Sequence, residues 1–230
     1  MANTKANALL QFKIKYIANM TKYLPLFPLS IVVFPGEKLN LHIFEPRYKQ
    51  LVLDCVENEK TFGIPTYIQS GVGVYGTEVE ILNIEKKYDN GEMDIRTKGL
   101  KIFKILHFDR MAPGRLYAGG EVEEVENKDD GDIITKLNIT ESLKELYDAL
   151  GISKLFLELP ENYKSFDIAH HLGLTTEQEY ALLQLENETE RQEAIFLHLQ
   201  QILPVVQQTE QLKDRVKLNG HFKHLMPPDF

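Results

Sequence analysis

The chain has 230 residues, 43% of them hydrophobic, with 26 basic and 34 acidic side chains and a formal net charge of −8. That length and composition suit one large or two small folded domains and exclude a wholly disordered chain. A lone cysteine, Cys55, excludes an internal disulfide framework and a Cys-rich metal cluster, and no uncharged apolar run is long enough to span a membrane. A reducing, cytoplasmic setting is expected.

In chain order, residues 1–22 read as a leader outside the folded part. Lys13 and Lys15 interrupt its apolar stretch, so it does not qualify as a signal peptide. Either the leader packs loosely or the natural start is Met20. Residues 23–124 then read as short strands around one helix. Leu29 to Phe34 is apolar and β-branched, and Pro35-Gly36 turns the chain. Lys38 to Phe44 alternates, with Leu39, Leu41 and Ile43 on one face and His42 on the solvated one. Pro46 suits a first helical position, and Tyr48, Leu51, Val52, Cys55 and Val56 form one apolar helical face. Cys55 on that face reads as a buried hydrophobe.

Strands resume at Phe62 to Ile68 and Val72 to Ile84, where a phase change between Ile81 and Leu82 suggests a bulge. Asp89-Asn90-Gly91 predicts a type I′ hairpin between that strand and Glu92 to Thr97. Leu100 to Phe108 and Tyr117 to Val122 complete about six strands, enough for a small, curled, partly closed barrel. Gly71-Val72-Gly73-Val74-Tyr75-Gly76 fits a dinucleotide fingerprint by spacing, but it precedes a strand and so fails the required context.

Charge then changes sign. Residues 1–122 carry net +3 and residues 123–230 net −11. The acidic stretch 125–132 is read as a linker or loop, and 133–230 as a helical subdomain. Asp132 and Gly151 bracket a helix over 133–150. Ser165 opens a short helix to Leu172, stopped by Gly173. Thr176 with Glu179 fits a capping box, and Thr189 caps a long helix that Pro204 should kink or stop before it resumes toward Leu218. The neighbours His170 and His171 diverge by about 100° on a helix and cannot readily share a metal. His221-x-x-His224 lacks a third ligand. No phosphate-binding loop, nucleophile elbow or zinc-protease motif occurs, so no catalytic, cofactor or metal residue is assigned.

Leu24-Pro25-Leu26-Phe27-Pro28-Leu29, then Val33-Phe34-Pro35-Gly36, then Leu39-x-Leu41-x-Ile43-Phe44-Glu45-Pro46-Arg47-Tyr48 form a long compound pattern. It resembles the N-terminal, substrate-binding domain of Lon ATP-dependent proteases, over roughly residues 22–205. Phe62-Gly63, Gly76-Thr77, Asn90-Gly91, Gly99-Leu100, Tyr117, and Glu179 to Leu183 through Glu190-Arg191 extend the likeness. The resemblance implies an α+β fold: a PUA-like twisted β pseudo-barrel with one inserted helix, then a C-terminal α-helical bundle.

It also implies a non-catalytic module recognising unfolded or partner polypeptides, a full-length Lon among them, and linked to protein quality control. The ATPase and Ser–Lys peptidase modules of Lon lie downstream of this region, and neither motif set is in these 230 residues. Pro28, Phe34, Pro35, Gly36, Phe44, Glu45, Pro46 and Arg47 are expected to be structural, with Phe27, Phe34 and Phe44 in the core and Arg47 paired to a carboxylate. Binding is expected on an exposed apolar surface at Leu26, Phe27 and Tyr48, or by strand addition to an open sheet edge. An RNA-binding module of PUA-like type and a small-ligand protein using a cleft between barrel and helices are the alternatives. The acidic second half argues against the nucleic-acid reading. No membrane partner is expected.

Overall fold

The structure is a computed structural model that describes the backbone of residues 21–68 and 71–221 and the side chains through Lys213. Residues 1–20 of the expected leader and His224 lie outside the described residues, whereas Thr21 and Lys22, also assigned to the leader, already pair with Glu123 and Val122 in the sheet. The described residues form two compact units: residues 21–68, 71–128 and 169–186 in the first, and residues 129–168 and 187–221 in the second. The first unit thus takes in Ala169–Glu186, a segment that the division at 133 assigned to the helices.

The first unit carries β1 (Thr21–Leu26), β2 (Lys38–Ile43), α1 (Pro46–Glu57), β3 (Phe62–Ile68), β4 (Gly71–Lys87), β5 (Met93–Asp109) and β6 (Ala118–Glu124). The order is β2-β5-β4-β3-β1-β6, and β5 also pairs with β6. Five strands therefore close on themselves and β2 lies outside the ring, on β5. This is the expected pseudo-barrel. Closure removes most free edges. It is possible because β5 is 17 residues long and changes partners along its length. Its first half pairs with β2, from Lys38↔Lys98 to Ile43↔Met93, and its last part pairs with β6, from Phe103↔Glu124 to Asp109↔Gly119.

α1 begins with Pro46 at its first turn, as the spacing requires, and buries Tyr48, Leu51, Val52 and Cys55. These pack with Phe27, Val33, Ile43, Phe62, Ile64, Val79 and Ile95 into the main core. Val56, assigned to the same face, is exposed.

Several expectations are corrected. Leu29 to Phe34 is not a strand. Leu29 makes a single parallel bridge to Thr66, Ser30 and Ile31 are exposed, and the buried Val32 to Phe34 use side-chain partners such as the Thr77 hydroxyl, which donates to the Val33 carbonyl. Glu92 to Thr97 and Leu100 to Phe108 form one continuous strand. The Asp89-Asn90-Gly91 hairpin is not type I′. Only Gly91 has positive φ (+77°), and its N–H donates to the Tyr88 carbonyl, which fits a type I turn followed by a glycine bulge. The register shift between Ile81 and Asn83 is the bulge that the phase change indicated.

Ala169–Glu186 holds a 3-10 turn (Ala169–His171) and a helix that we label α5 (Thr176–Leu183). The capping box there is one residue earlier than expected. The Thr175 hydroxyl accepts from the Gln178 N–H while the Gln178 side chain accepts from the Thr175 N–H, which leaves Glu179 free for another partner.

The second unit holds α2 (Ile133–Leu150), α3 (Ser153–Leu157), α4 (Ser165–Ile168) and α6 (Glu188–His221). Asp132 caps α2 by accepting from the Thr135 N–H, and Gly151 ends it at φ +70°. Ile139, Leu143, Leu146 and Tyr147 of α2 are buried, as are Ile195, Leu199 and Leu203 of α6, and the two helices pack together. α6 starts one residue before Thr189, whose N–H and hydroxyl instead reach Asp130. The helix runs through Pro204 without stopping. Gln200, whose carbonyl loses its intrahelical donor to the proline, is exposed, so water can replace that bond. No helix among the described residues is long and apolar enough to cross a membrane.

Candidate functional site

The motif residues are mostly internal. Leu26, Phe27 and Tyr48 are 0%, 6% and 7% exposed, so the surface they were expected to offer is not there. Leu26 points into the closed ring beside Phe103 and Val122, and Phe27 stacks on Tyr48 with ring centroids 3.8 Å apart. Barrel closure turned an apparent edge into a core. Phe34 is buried as expected, but Phe44 is 58% exposed and is no core residue. It follows Ile43, and successive strand residues face opposite ways. Glu45 precedes α1, and its carboxylate accepts from the Arg47 guanidinium at 2.8 Å. Arg47 also lies over the Tyr48 ring, 4.5 Å from its centroid. Pro28 and Pro35 are half-buried. Gly36 adopts φ +88°, where a side chain would be strained.

The Phe34-Pro35-Gly36 turn anchors a polar cluster that the sequence did not reveal. The Glu37 carboxylate accepts from the Phe34 N–H at 2.9 Å and meets His170 Nε2 at 3.2 Å. His170 Nδ1 reaches Glu179 at 2.8 Å, and its ring lies 4.9 Å from that of Phe34. Glu37 first, then Glu179, raises the His170 pKa to about 9 against a partial desolvation that lowers it. The imidazolium therefore ties the Ala169–Glu186 segment to the turn. Because the folded pKa exceeds the usual value of 6.5, this stabilisation is complete below about pH 6.5 and disappears as pH rises through about 9. With the side chain 34% exposed, screening leaves about 1–2 kcal/mol. A His170→Gln variant should melt below the wild type at pH 6, and the two thermal midpoints should converge by about pH 9.5.

Groups suited to catalysis are few. Burial pushes the Cys55 thiol up to about 12, far from a reactive thiolate. His42, exposed on β2, contacts Asp94 at 2.7 Å and Glu92 at 3.3 Å, and Asp94 raises its pKa. No nucleophile adjoins it. Among the described residues no group of three His, Cys, Asp or Glu side chains could hold a metal ion.

The surface feature best suited to a ligand lies where the β4–β5 ladder ends. The β4–β5 ladder ends at Tyr75↔Lys104. Beyond it β5 continues along β6, and Gly71–Val74 of β4 keep β3 on one side with no strand on the other among the described residues. The strands splay into an open cleft of about 420 Å³ lined by Tyr67, Val72, Val74, Ile105, Phe108 and Arg110, with Gly71 and Gly73 along its floor. Tyr67 and Val74 are exposed, at 41% and 47%. Ile105 and Phe108 rest against the satellite core of Leu24, Leu26, Phe103 and Val122.

The glycine run that mimicked a dinucleotide fingerprint shapes this region. A Cβ on Gly76 would lie 2.5 Å from the Ile64 carbonyl oxygen, and one on Gly73 would meet the Tyr180 hydroxyl. That hydroxyl in turn accepts from the Tyr75 N–H at 2.9 Å, where the β3–β4 register shifts. No cleft residue was assigned a binding role from sequence, and Gly71 to Val74 were noted only as a fingerprint whose context fails. The only available signal was the glycine run inside a strand, which marks close backbone approach.

The sequence profile of the ATP-dependent protease La (LON) substrate-binding domain matches residues 23–201. A Lon N-terminal domain protein from Xanthomonas campestris is 27% identical, with a TM-score of 0.61, covering 76% of this chain and 98% of that one. The N-terminal domain of a Lon protease from the Mycobacterium avium complex shares the fold at 17% identity and a TM-score of 0.58, covering 78% of this chain and 98% of that one.

Proposed function

Because the chain belongs to the Lon substrate-binding domain family, we propose that it is a non-catalytic module that binds unfolded or partner polypeptides and serves protein quality control. The observation that carries this reading is the splayed β4–β5 cleft, which sets exposed apolar side chains beside an open strand edge. An extended chain satisfies such an edge through its main chain, which demands little of its sequence, while apolar lining rewards the side chains that folded proteins hide. Partners of that kind include unfolded substrates and segments of a full-length Lon.

The test is fluorescence anisotropy with a reduced, carboxymethylated protein as the unfolded probe and its native form as control. Binding is expected with a Kd on the order of micromolar, at least about tenfold tighter than to the native form, and unchanged by ATP. Equal or absent binding of the two forms would overturn the reading. So would RNA binding that falls steeply with salt and displaces the unfolded probe.

A further inference from the structure

We infer that the β4–β5 cleft selects extended segments that carry an acidic side chain beside apolar ones, with Arg110 as the receiving cation. This rests on the polypeptide-binding reading above and assigns it a site and a class of segment. Three observations converge. First, Gly71–Val74 present a strand edge that has no β5 partner among the described residues, which leaves main-chain groups for an added strand. Second, the side chains lining the gap are aliphatic or aromatic, with Arg110 as the charged group among them.

Third, Arg110 is exposed at the mouth and forms no ion pair among the described residues. The nearest acidic residue in sequence, Asp109, is already engaged: its carboxylate accepts from the Tyr23 hydroxyl at 3.0 Å and pairs with His107 at 3.2 Å. Among the described residues no carboxylate lines the cleft. An incoming acidic side chain would therefore meet an unneutralised guanidinium against a low-polarity wall, where a charge-assisted hydrogen bond is stronger than in water. A lysine at the same place would be repelled. Charge complementarity of this kind gives specificity more than raw affinity.

The experiment uses two fluorescein-labelled nine-residue peptides, one alternating valine with aspartate and one alternating valine with lysine, titrated with the full chain at low salt. The wild type should bind the acidic peptide about tenfold tighter than the basic one. Arg110→Glu should reverse that preference. Tyr67→Ser with Val74→Ser should weaken the acidic peptide about tenfold, because the apolar area is lost. Leu53→Ser, on the exposed side of α1, should change nothing. All substituted side chains are exposed, and an unchanged thermal midpoint will verify folding.

If the wild type binds unfolded protein but shows no preference between the peptides, or if Arg110→Glu leaves the preference intact, the cleft assignment is overturned while the polypeptide-binding reading stands. If the wild type does not bind unfolded protein, that reading fails and this one with it. Displacement of the acidic peptide by an RNA oligonucleotide would overturn the inference in favour of a phosphate site.

Discussion

Arg191→Leu is expected to cost about 3–5 kcal/mol of stability, the largest effect of any single change considered for the second unit. Arg191 and Glu188 are 2% and 3% exposed, one turn apart at the start of α6, with Arg191 Nε 3.0 Å from the Glu188 carboxylate. That carboxylate also accepts from the Ser165 N–H at 2.8 Å and the Ser165 hydroxyl at 2.9 Å, which fixes the start of α4. The guanidinium lies over the Phe166 ring, 4.5 Å from its centroid. The pair thus joins α4 to α6 by charge, hydrogen bonds and stacking together. Removing the cation leaves a buried carboxylate whose desolvation is offset only in part, by the two Ser165 hydrogen bonds. Replacing both members, as in Glu188→Gln with Arg191→Met, should recover most of the loss, because the unpaired charge is what costs most. Urea unfolding followed by helical circular dichroism measures all three proteins. A loss under about 1 kcal/mol for Arg191→Leu would show that water reaches the pair and that it behaves as a surface bridge.

This pair also shows where sequence reading stops. Glu188 and Arg191 at i, i+3 look like any solvated helical pair, and tertiary packing, with α4 and Gly131 against them, buries them. What periodicity and capping encode locally was legible: α1 starts at Pro46, Asp132 and Gly151 bracket α2, and the bulge sits beside Leu82. Errors arose where a competing local partner existed. Thr175, not Thr176, caps α5 because Gln178 completes the box, and that frees Glu179 for His170. Burial was the harder question. Leu26 and Phe44 were both apolar residues of one motif, yet ring closure buries the first and the strand's alternation exposes the second. The candidate site was not legible at all. It exists because the β4–β5 ladder stops at Tyr75↔Lys104 while β5 runs on along β6 to Asp109↔Gly119, pairings between distant segments that no local pattern carries.

The same long-range logic makes Gly99→Ala the second severe change, expected to cost about 2–3 kcal/mol. Gly99 sits in β5 under the Phe34-Pro35-Gly36 turn. It accepts from the Gly36 N–H at 2.9 Å and donates to the Glu37 carbonyl at 2.8 Å, so the turn is fastened to the strand on both sides. An added Cβ would overlap the Phe34 carbonyl oxygen, a backbone atom that cannot swing aside, and would also press on the Thr77 side chain. Relief requires the turn to lift from β5. That would break those two hydrogen bonds and displace Glu37 from His170. The structural assignment of Phe34, Pro35 and Gly36 makes a further demand on this variant. Its loss should appear as a lowered thermal midpoint and a weaker dependence of that midpoint on pH between 6 and 9.5, since the His170 contribution needs the turn in place. A variant that melts lower but keeps the full pH dependence would mean that the strand, and not the turn, absorbs the methyl group.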